Sequence, residues 1–270
     1  MNETVKMSTK DTFLSNFNLL DFSFDEDFSK DIRSAAKNTI EGLEFPTSKV
    51  EYWKYTRINK IIKRDYSISA PENKVEIDLS VPSKNCIVLI NGFYSEELSF
   101  FESEVGVTFS SLSEAKKNSS VLKEKFNSLV KKDEIFAQIN SAYHQDGAFM
   151  HVEKNVQAEE PYYILNFVDD SNILSNPRNF VFVEQGANVK VVLKTINTAN
   201  TGSFTNMVSE LFIEKNAHFE INKIQNEADD SFQIATEQVV QADDSTFKIN
   251  TFTLNGAIVR NNLNIDSLGK

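Results

Sequence analysis

The sequence contains few of the residues that build cross-links, metal clusters or phosphate-binding loops. Its single cysteine, Cys86, excludes an intramolecular disulfide framework and any multi-cysteine metal site formed by this chain alone. Eight glycines and five prolines among 270 residues leave too little material for repeated glycine-rich phosphate loops or a collagen-like repeat. No apolar run reaches the roughly 18 residues that a transmembrane helix needs. The sequence therefore predicts a protein without disulfides and without a membrane span.

Positive charge is also scarce. The chain has 28 Lys and Arg against 39 Asp and Glu, which gives a net charge of −11. General nucleic-acid binders and proteins attracted to anionic membranes need basic surface, so we expect neither kind of partner. The amino-terminal residues contain no apolar core of a secretory signal, and we therefore expect a cytoplasmic protein. Hydrophobic residues make up 40% of the chain, as in ordinary folded proteins.

The amino-terminal part, residues 1–145, has the pattern of a small helical α+β domain. Apolar side chains recur at helical spacing between Phe28 and Leu43. The spacing of Ser111 and Glu114 is that of a helix capping box. A brief apolar run over 85–92 ends in Asn-Gly, which indicates a buried strand entering a tight turn.

Residues 146–270 instead alternate apolar and polar side chains with the period of β-strands. A similar turn also follows four of the predicted strands, at intervals of about 30 residues. Repeated short strands with recurring turn chemistry are typical of a β-solenoid, so the fold class we predict is mainly β. An antiparallel sandwich is the alternative. The four turns are Val152-Glu-Lys-Asn, Val183-Glu-Gln-Gly, Ile213-Glu-Lys-Asn and Val240-Gln-Ala-Asp.

Phenylalanine is unusually common, with 22 residues. A solenoid buries one row of side chains from each strand in its interior, and stacked aromatic rings would fill such rows. We therefore predict that the strand phenylalanines form the interior. They are Phe180, Phe182, Phe204, Phe212, Phe219, Phe232, Phe247 and Phe252.

The residues that could carry chemistry have simpler interpretations. His144, His151 and His218 have no spacing typical of metal ligands, and Cys86 lies in an apolar run where a buried, inert thiol is favoured. Three pairs of neighbouring aspartates could indicate a glycosidase or a lyase, but all are predicted in turns, where Asp is common for its local hydrogen bonds. These pairs are Asp169-Asp170, Asp229-Asp230 and Asp243-Asp244. From these residues we predict neither a catalytic site nor a metal site.

One segment, residues 45–56, resembles a known family. Its Pro-Thr, Lys and Glu followed by Trp-Lys-Tyr-Thr resemble the amino-terminal signature of the SufB/SufD family of SUF iron–sulfur cluster assembly proteins. The Trp-Lys-Tyr-Thr form is that of the SufD branch. Later elements occur in the same order as in that family. The matching positions are Pro46, Lys49, Glu51, Trp53, Lys54, Tyr55, Thr56, Asp146, Gly147, Pro161, Pro177, Arg178, Asn206, Gly256 and Arg260.

The resemblance implies a right-handed parallel β-helix and a non-catalytic scaffold role. A SufB-like subunit and a SufC-like ATPase are the implied partners. A nascent iron–sulfur cluster or a flavin is expected only in the full complex, and none on this chain alone. We expect Trp53 and Tyr55 to be packing anchors, and Arg178 and Arg260 to hold turns or to pair with turn carboxylates.

The chain also departs from the family pattern, because it ends at Lys270, in or just after a predicted strand. By that pattern it is roughly the first three-fifths of a SufD-like protein, without the carboxy-terminal region that contacts SufC. We therefore expect a fragment with an open, aggregation-prone solenoid end. The alternative functions are a β-helical carbohydrate-active enzyme that uses turn carboxylates, and a purely structural β-solenoid module.

Overall fold

The structure, a computed structural model, describes residues 7–71, 81–102, 104–198 and 202–268. The helices are α1 (Thr9–Ser15), α2 (Asp27–Glu41), α3 (Asn59–Ile62), α4 (Leu112–Asn118), α5 (Ser120–Lys125) and α6 (Ile135–Tyr143), with 3₁₀ turns at Asn16–Leu19 and Glu51–Trp53. Within the described ranges, no helix has the length and apolar character needed to span a bilayer.

The strands begin before the last helices and continue to the end of the described chain. They are β1 (Cys86–Ile90), β2 (Phe93–Tyr94), β3 (Val107–Ser111), β4 (Ala148–Val152), β5 (Tyr162–Val168), β6 (Leu174–Ser175), β7 (Arg178–Val183), β8 (Asn188–Asn197), β9 (Phe204–Ile213), β10 (His218–Asn226), β11 (Phe232–Gln241), β12 (Thr246–Asn255) and β13 (Ile258–Ser267).

Two sheets face each other. One has the order β2-β1-β5-β8-β10-β12 and the other β3-β4-β7-β9-β11-β13, with β6 beside β9. Successive coils pair in parallel, whereas antiparallel pairing among the described strands is confined to β1 with β2 and β3 with β4. The protein is thus mainly β, with a β-solenoid of about four turns after a small helical region. The predicted solenoid is confirmed, and the antiparallel sandwich is wrong.

Local predictions in the amino-terminal part are also confirmed. The Ser111 hydroxyl caps α4 by accepting a hydrogen bond from the Glu114 amide at 3.2 Å. Strands β1 and β2 form a hairpin through Asn91 and Gly92, whose φ angles of 54° and 88° are left-handed. Since β1 and β3 enter the two sheets, residues 1–145 supply the first strands of the solenoid as well as the helices. The division at residues 145 and 146 stays a prediction.

The recurring turn has a conformational cause. Its fourth residue takes a left-handed backbone in every coil, and the residues there are Asn155, Gly186, Asn216 and Asp244. Gly, Asn and Asp tolerate this conformation best, which explains the repeated composition. One position was predicted wrongly by a single residue. The fourth turn begins at Gln241, which pairs with Ile213, and not at Val240. The last coil is shorter than the preceding ones, and counting from Gln241 makes Asp244 the fourth residue of its turn.

The predicted phenylalanine interior is largely wrong. The space between the sheets is filled mainly by Val, Ile, Leu, Ala and Met, joined by Phe219 and the partly buried Phe247. The other strand phenylalanines lie on outer faces, where most of them meet the helices, and Phe252 is exposed. Phe180, Phe182 and Phe212 pack under α4 and α5, and Phe204 and Phe232 pack under the amino-terminal helices. Strand alternation puts every second residue on the outer face, and here the large rings cover the sheet that carries the helices.

Candidate functional site

The family-motif positions do not meet at one point. The structure brings most of them to two places where the helical layer contacts the sheet that contains β9, β11 and β13. We call these the Trp53 contact (Trp53, Thr56, Phe136 and Arg260) and the Arg178 junction (Asn140, Asp146, Gly147, Pro177, Arg178, Asn206 and Glu210). The remaining motif residues lie outside both.

The Trp53 contact joins the Glu51–Trp53 turn to the last strand. The Trp53 ring stacks on Phe136 of α6 with centroids 5.4 Å apart. On the ring lies the guanidinium of Arg260, 3.9 Å from its centroid, and Arg260 Nη1 donates to Thr56 Oγ1 at 3.1 Å. A cation held over an aromatic face in this way is attracted by the ring's negative face. Burial lowers the pKa of Arg260, and the carboxylate of Glu134 acts in the opposite direction.

A groove of about 880 Å³ opens beside this contact, between the Pro46–Trp53 segment and β13. Glu134 lies at the base of the groove, and the Glu134 carboxylate accepts hydrogen bonds from Gln238 Nε2 at 3.1 Å and Asn264 Nδ2 at 3.0 Å. The Arg260 Nε atom is buried without a hydrogen-bond partner in the described structure. The groove is therefore lined on one side by Trp53 and Arg260. Its base is lined by the Glu134 carboxylate, which is hydrogen-bonded to side chains of β11 and β13.

At the Arg178 junction, a fully buried ion pair connects neighbouring coils. Arg178 Nη2 donates to Glu210 Oε2 at 2.6 Å, and neither side chain reaches solvent. Glu210 also accepts the backbone amides of Asn127 at 2.8 Å and Leu129 at 3.0 Å, which fixes the loop after α5. Because a buried ion pair stays stable only when its further hydrogen bonds are made, these amides are part of the pair.

Two asparagines attach α6 to the sheet beside the pair. Asn140 Nδ2 donates to the backbone oxygens of Pro177 at 3.0 Å and Asn206 at 2.8 Å. In return, Asn206 Nδ2 donates to Phe136 O at 3.0 Å and to Asn176 Oδ1 at 2.9 Å. These reciprocal hydrogen bonds fix the position of α6 along β9.

Asp146 and Gly147 place the chain at the start of β4. The Asp146 carboxylate accepts from the Ser113 amide at 3.0 Å, the Ser113 hydroxyl at 2.7 Å and the Gly147 amide at 2.8 Å. Burial raises the pKa of Asp146, against these hydrogen bonds. A Cβ atom on Gly147 would lie 1.6 Å from the Arg178 backbone oxygen, so only glycine fits where these two neighbouring segments approach each other.

A charged network that sequence reasoning missed lies next to this junction. Arg33 of α2 is 3% exposed and donates to Asp25 at 2.6 Å and to the His144 backbone oxygen at 3.0 Å. Lys116 Nζ lies 2.9 Å from His144 Nε2. Burial and the flanking cations hold the pKa of His144 well below its usual value, so the imidazole is neutral and accepts from Lys116. Burial also lowers the pKa of Lys116 to about 8. The sequence signal was a charged residue, Arg33, on the inward face of α2 beside Ala36 and Ile40.

Other motif positions lie apart. Lys49, Glu51, Lys54 and Tyr55 are exposed, and the interpretation of Tyr55 as a packing anchor is wrong because its side chain is 87% exposed. Pro161 precedes β5 and accepts a hydrogen bond from the Ser83 hydroxyl at 2.7 Å, and Gly256 has a φ of 138° beside Glu227.

Of the two roles expected for the arginines, only the pairing with turn carboxylates is wrong. Arg178 Nη2 donates to Asn127 Oδ1 at 3.1 Å in the turn after α5, and Arg260 donates to Thr56 just after the Glu51–Trp53 turn. Arg178 pairs with a carboxylate inside β9, and Arg260 stacks on an aromatic ring, so neither pairs with a turn carboxylate.

Cys86 and the three aspartate pairs lie in separate parts of the fold. Cys86 is buried in β1, and burial raises its pKa to about 12, which keeps the thiol protonated. The aspartate pairs lie in different turns, and Asp230 is held by Arg64 at 2.7 Å. In the described residues, no group of three or more His, Cys, Asp or Glu side chains is arranged to hold a metal ion.

Comparison with known proteins decides the family. The model of the SufBD protein N-terminal region matches residues 10–164, and the model of the SUF system FeS cluster assembly SufBD core domain matches residues 166–270. The chain belongs to the SufB/SufD family. The recognition made from the Trp-Lys-Tyr-Thr segment is thus confirmed at the level of the family.

Similar curated proteins are found in bacteria and in a plant. An iron–sulfur cluster assembly SufBD family protein of Synechocystis is 26% identical over 251 residues, covering 86% of this chain and 55% of the relative. The chloroplast protein ABCI7 of Arabidopsis thaliana is 26% identical over 251 residues, covering 88% and 53%. A SufBD family protein of Staphylococcus haemolyticus is 30% identical over 138 residues, covering 50% and 30%. The chain spans about half the length of the first two relatives. Its family places it in SUF iron–sulfur cluster assembly.

Proposed function

We propose that this chain acts as a non-catalytic scaffold subunit in SUF cluster assembly, of the SufD type, beside a SufB-like subunit and a SufC-like ATPase. Family membership supports the process, and the Trp53-Lys54-Tyr55-Thr56 form supports the SufD assignment. A nascent cluster is cargo of the assembled complex in this proposal, and the cytoplasm is the proposed location.

The observation that carries the proposal is the family match, since the models of the SufBD amino-terminal region and of the SufBD core domain match residues 10–164 and 166–270. The SufB-like subunit is the partner that we propose for this chain.

Co-expression tests this proposal. The tagged chain, co-expressed with SufB-like and SufC-like proteins, is expected to retain the SufB-like subunit through affinity and size-exclusion steps.

Failure of the unmodified, monodisperse chain to retain a SufB-like subunit would contradict the proposal. The enzyme alternative has its own test, since it requires Asp243→Asn to abolish a polysaccharide-cleaving activity of the purified chain.

A further inference from the structure

The segment over residues 49–64 is basic, although the chain as a whole is acidic. It contains six Lys and Arg side chains against one acidic side chain, Glu51, whereas the whole chain has a net charge of −11. A cluster of one sign creates a local potential that differs from that of the rest of the surface. This segment therefore attracts anionic groups that the remainder of the molecule repels.

The fold holds this segment in place through buried side chains and one ion pair. Trp53 is fixed by the contact described above, and Ile58 and Ile61 are buried against the amino-terminal helices. The Ile61 amide donates to the Ile58 oxygen at 2.8 Å, which closes a turn between them. At the end of the segment, Arg64 donates to both carboxylate oxygens of Asp230, at 3.0 Å and 2.7 Å. Because the segment already has a fixed conformation, a partner that binds it loses little affinity to ordering.

Most of the exposed side chains between these anchors are aromatic or cationic. Tyr52 is 85% exposed and Tyr55 is 87% exposed, and Lys54 Nζ lies 5.5 Å from the centre of the Tyr55 ring. Arg57 and Lys60 are exposed as well. Tyr and Arg are enriched among the residues that contribute most to protein–protein binding. The exposed side chains therefore have the composition of a protein-docking surface.

A groove of about 680 Å³ lies between this segment and the start of α1. Lys54, Arg57 and Lys60 line it, and within the described ranges none of these three side chains forms an ion pair. The groove is also lined by Glu44, whose carboxylate is 85% exposed and lies 3.5 Å from Lys10 Nζ. Three cations are thus available to a ligand, and the carboxylate that faces them already has a cationic neighbour.

We propose that residues 50–60 form a docking surface for an acidic segment of a partner protein. The carboxylates of that segment would lie on Lys54, Arg57 and Lys60, and its apolar side chains on Tyr55. An acidic protein segment is favoured over nucleic acid, because three cations are few for a run of phosphates and a net charge of −11 opposes a long polyanion. This docking surface goes beyond the proposed function and does not depend on it.

Fluorescence anisotropy with a labelled acidic peptide tests the proposal on the whole chain. The probe is a fluorescein-labelled peptide with the repeat Glu-Glu-Leu, and the same peptide with Gln in place of Glu is its control. The chain is expected to bind the acidic peptide more tightly than the neutral one, and to lose affinity for it as the salt concentration rises. No binding of the acidic peptide, or equal binding of both peptides, would overturn the proposal.

Substitutions locate the binding on the chain. Arg57→Glu replaces an attraction by a repulsion and is expected to weaken binding of the acidic peptide about tenfold or more. Tyr55→Ala should also weaken it, because a docking surface uses the aromatic ring as well as the charges. Lys154→Glu, the same reversal at an exposed position in the turn after β4, is the matched control and should change the affinity by less than about twofold. Equal affinities of the Arg57→Glu and Lys154→Glu variants would contradict the assignment of the site.

Two other outcomes would assign the surface to a different occupant and overturn the proposal. The first is binding of a labelled single-stranded oligonucleotide that is tighter than binding of the acidic peptide and is lost in Arg57→Glu. The second is concentration-dependent dimerisation of the chain in sedimentation equilibrium that is lost in the same variant, which would identify a second copy of the chain as the occupant.

Discussion

The guanidinium of Arg260 lies 3.9 Å from the centre of the Trp53 ring, and the same arginine donates to Thr56, 204 residues earlier in the chain. This contact fastens the amino-terminal layer to the last described strand. It joins the segment at residues 45–56 to Arg260, near the other end of this sequence. Trp53 and Thr56 thus make a contact across the fold in addition to their local one.

A double-mutant cycle measures this contact. We expect Trp53→Leu and Arg260→Leu to have a coupling energy of about 0.5–2 kcal/mol, because the stacked cation is partly removed from water. Urea denaturation of the wild type, both single variants and the double variant gives the value. Tyr55→Leu, in the same segment but exposed, is the control and should leave stability within about 0.5 kcal/mol. Additive effects of the two substitutions would show that the stacking contributes nothing.

Gly147→Ala should be strongly destabilising. The new Cβ would collide with the Arg178 backbone oxygen, and since backbone cannot move aside cheaply, we expect a loss of about 3 kcal/mol or more in the free energy of unfolding. Gly42→Ala is the matched control, because its Cβ would meet only the Thr39 oxygen at 3.8 Å. Similar thermal midpoints for the two variants would contradict the close approach of Gly147 to the Arg178 backbone described above.

Removing one partner of the buried pair should cost more than removing both. Glu210→Leu leaves the Arg178 charge buried without compensation, and a loss of about 3–5 kcal/mol is expected. Adding Arg178→Leu should recover part of that loss. Glu220→Gln, next to the exposed Lys248, is the surface comparison and should leave the denaturation midpoint unchanged. Equal losses for Glu210→Leu and the double variant would indicate that the amides of the α5 loop, and not the ion pair, carry the stability.

Glu227 makes stability depend on pH. Burial raises the pKa of its carboxyl from 4.5 to about 7, against hydrogen bonds with the Asn197 side chain, whose Nδ2 donates at 3.0 Å, and with the Thr205 side chain. The folded protein therefore keeps this proton at pH values where the unfolded chain has lost it, and stability decreases as pH rises from about 4.5 to 7. Glu227→Gln should remove this dependence and be the more stable form at pH 8. Parallel pH profiles of wild type and variant, measured by thermal denaturation, would show that Glu227 titrates normally.

Sequence reasoning succeeded where local chemistry determines structure. The Ser111 cap, the Asn91-Gly92 hairpin and the left-handed turn residues Asn155 and Asn216 all follow from backbone preferences within a few residues. The solenoid followed because those preferences recur at a fixed spacing. The error at Val240 has the same origin, since a coil that is shorter by two residues moves the strand end without changing the local composition.

Sequence reasoning failed where partners are far apart in the chain. Alternation shows that Phe180 and Val181 face opposite ways, but not which face is interior, because both faces are apolar and helices cover the outer one. The pairing of Arg178 with Glu210, and the network of Arg33, Lys116 and His144, depend on a tertiary arrangement that single-residue chemistry does not encode. Here the family resemblance identified relevant positions such as Arg178 without indicating what they contact.

The outward phenylalanines make the two walls of the solenoid unequal. The sheet that contains β7, β9 and β11 packs against the helices through Phe180, Phe204, Phe212 and Phe232. Separation of these strands from the helices would therefore expose aromatic surface to water. The other wall presents Lys190, Glu220 and Lys248. A protein that approaches from the side therefore meets either a helical surface or a charged strand surface. Any assembly built on this subunit consequently has a defined front and back.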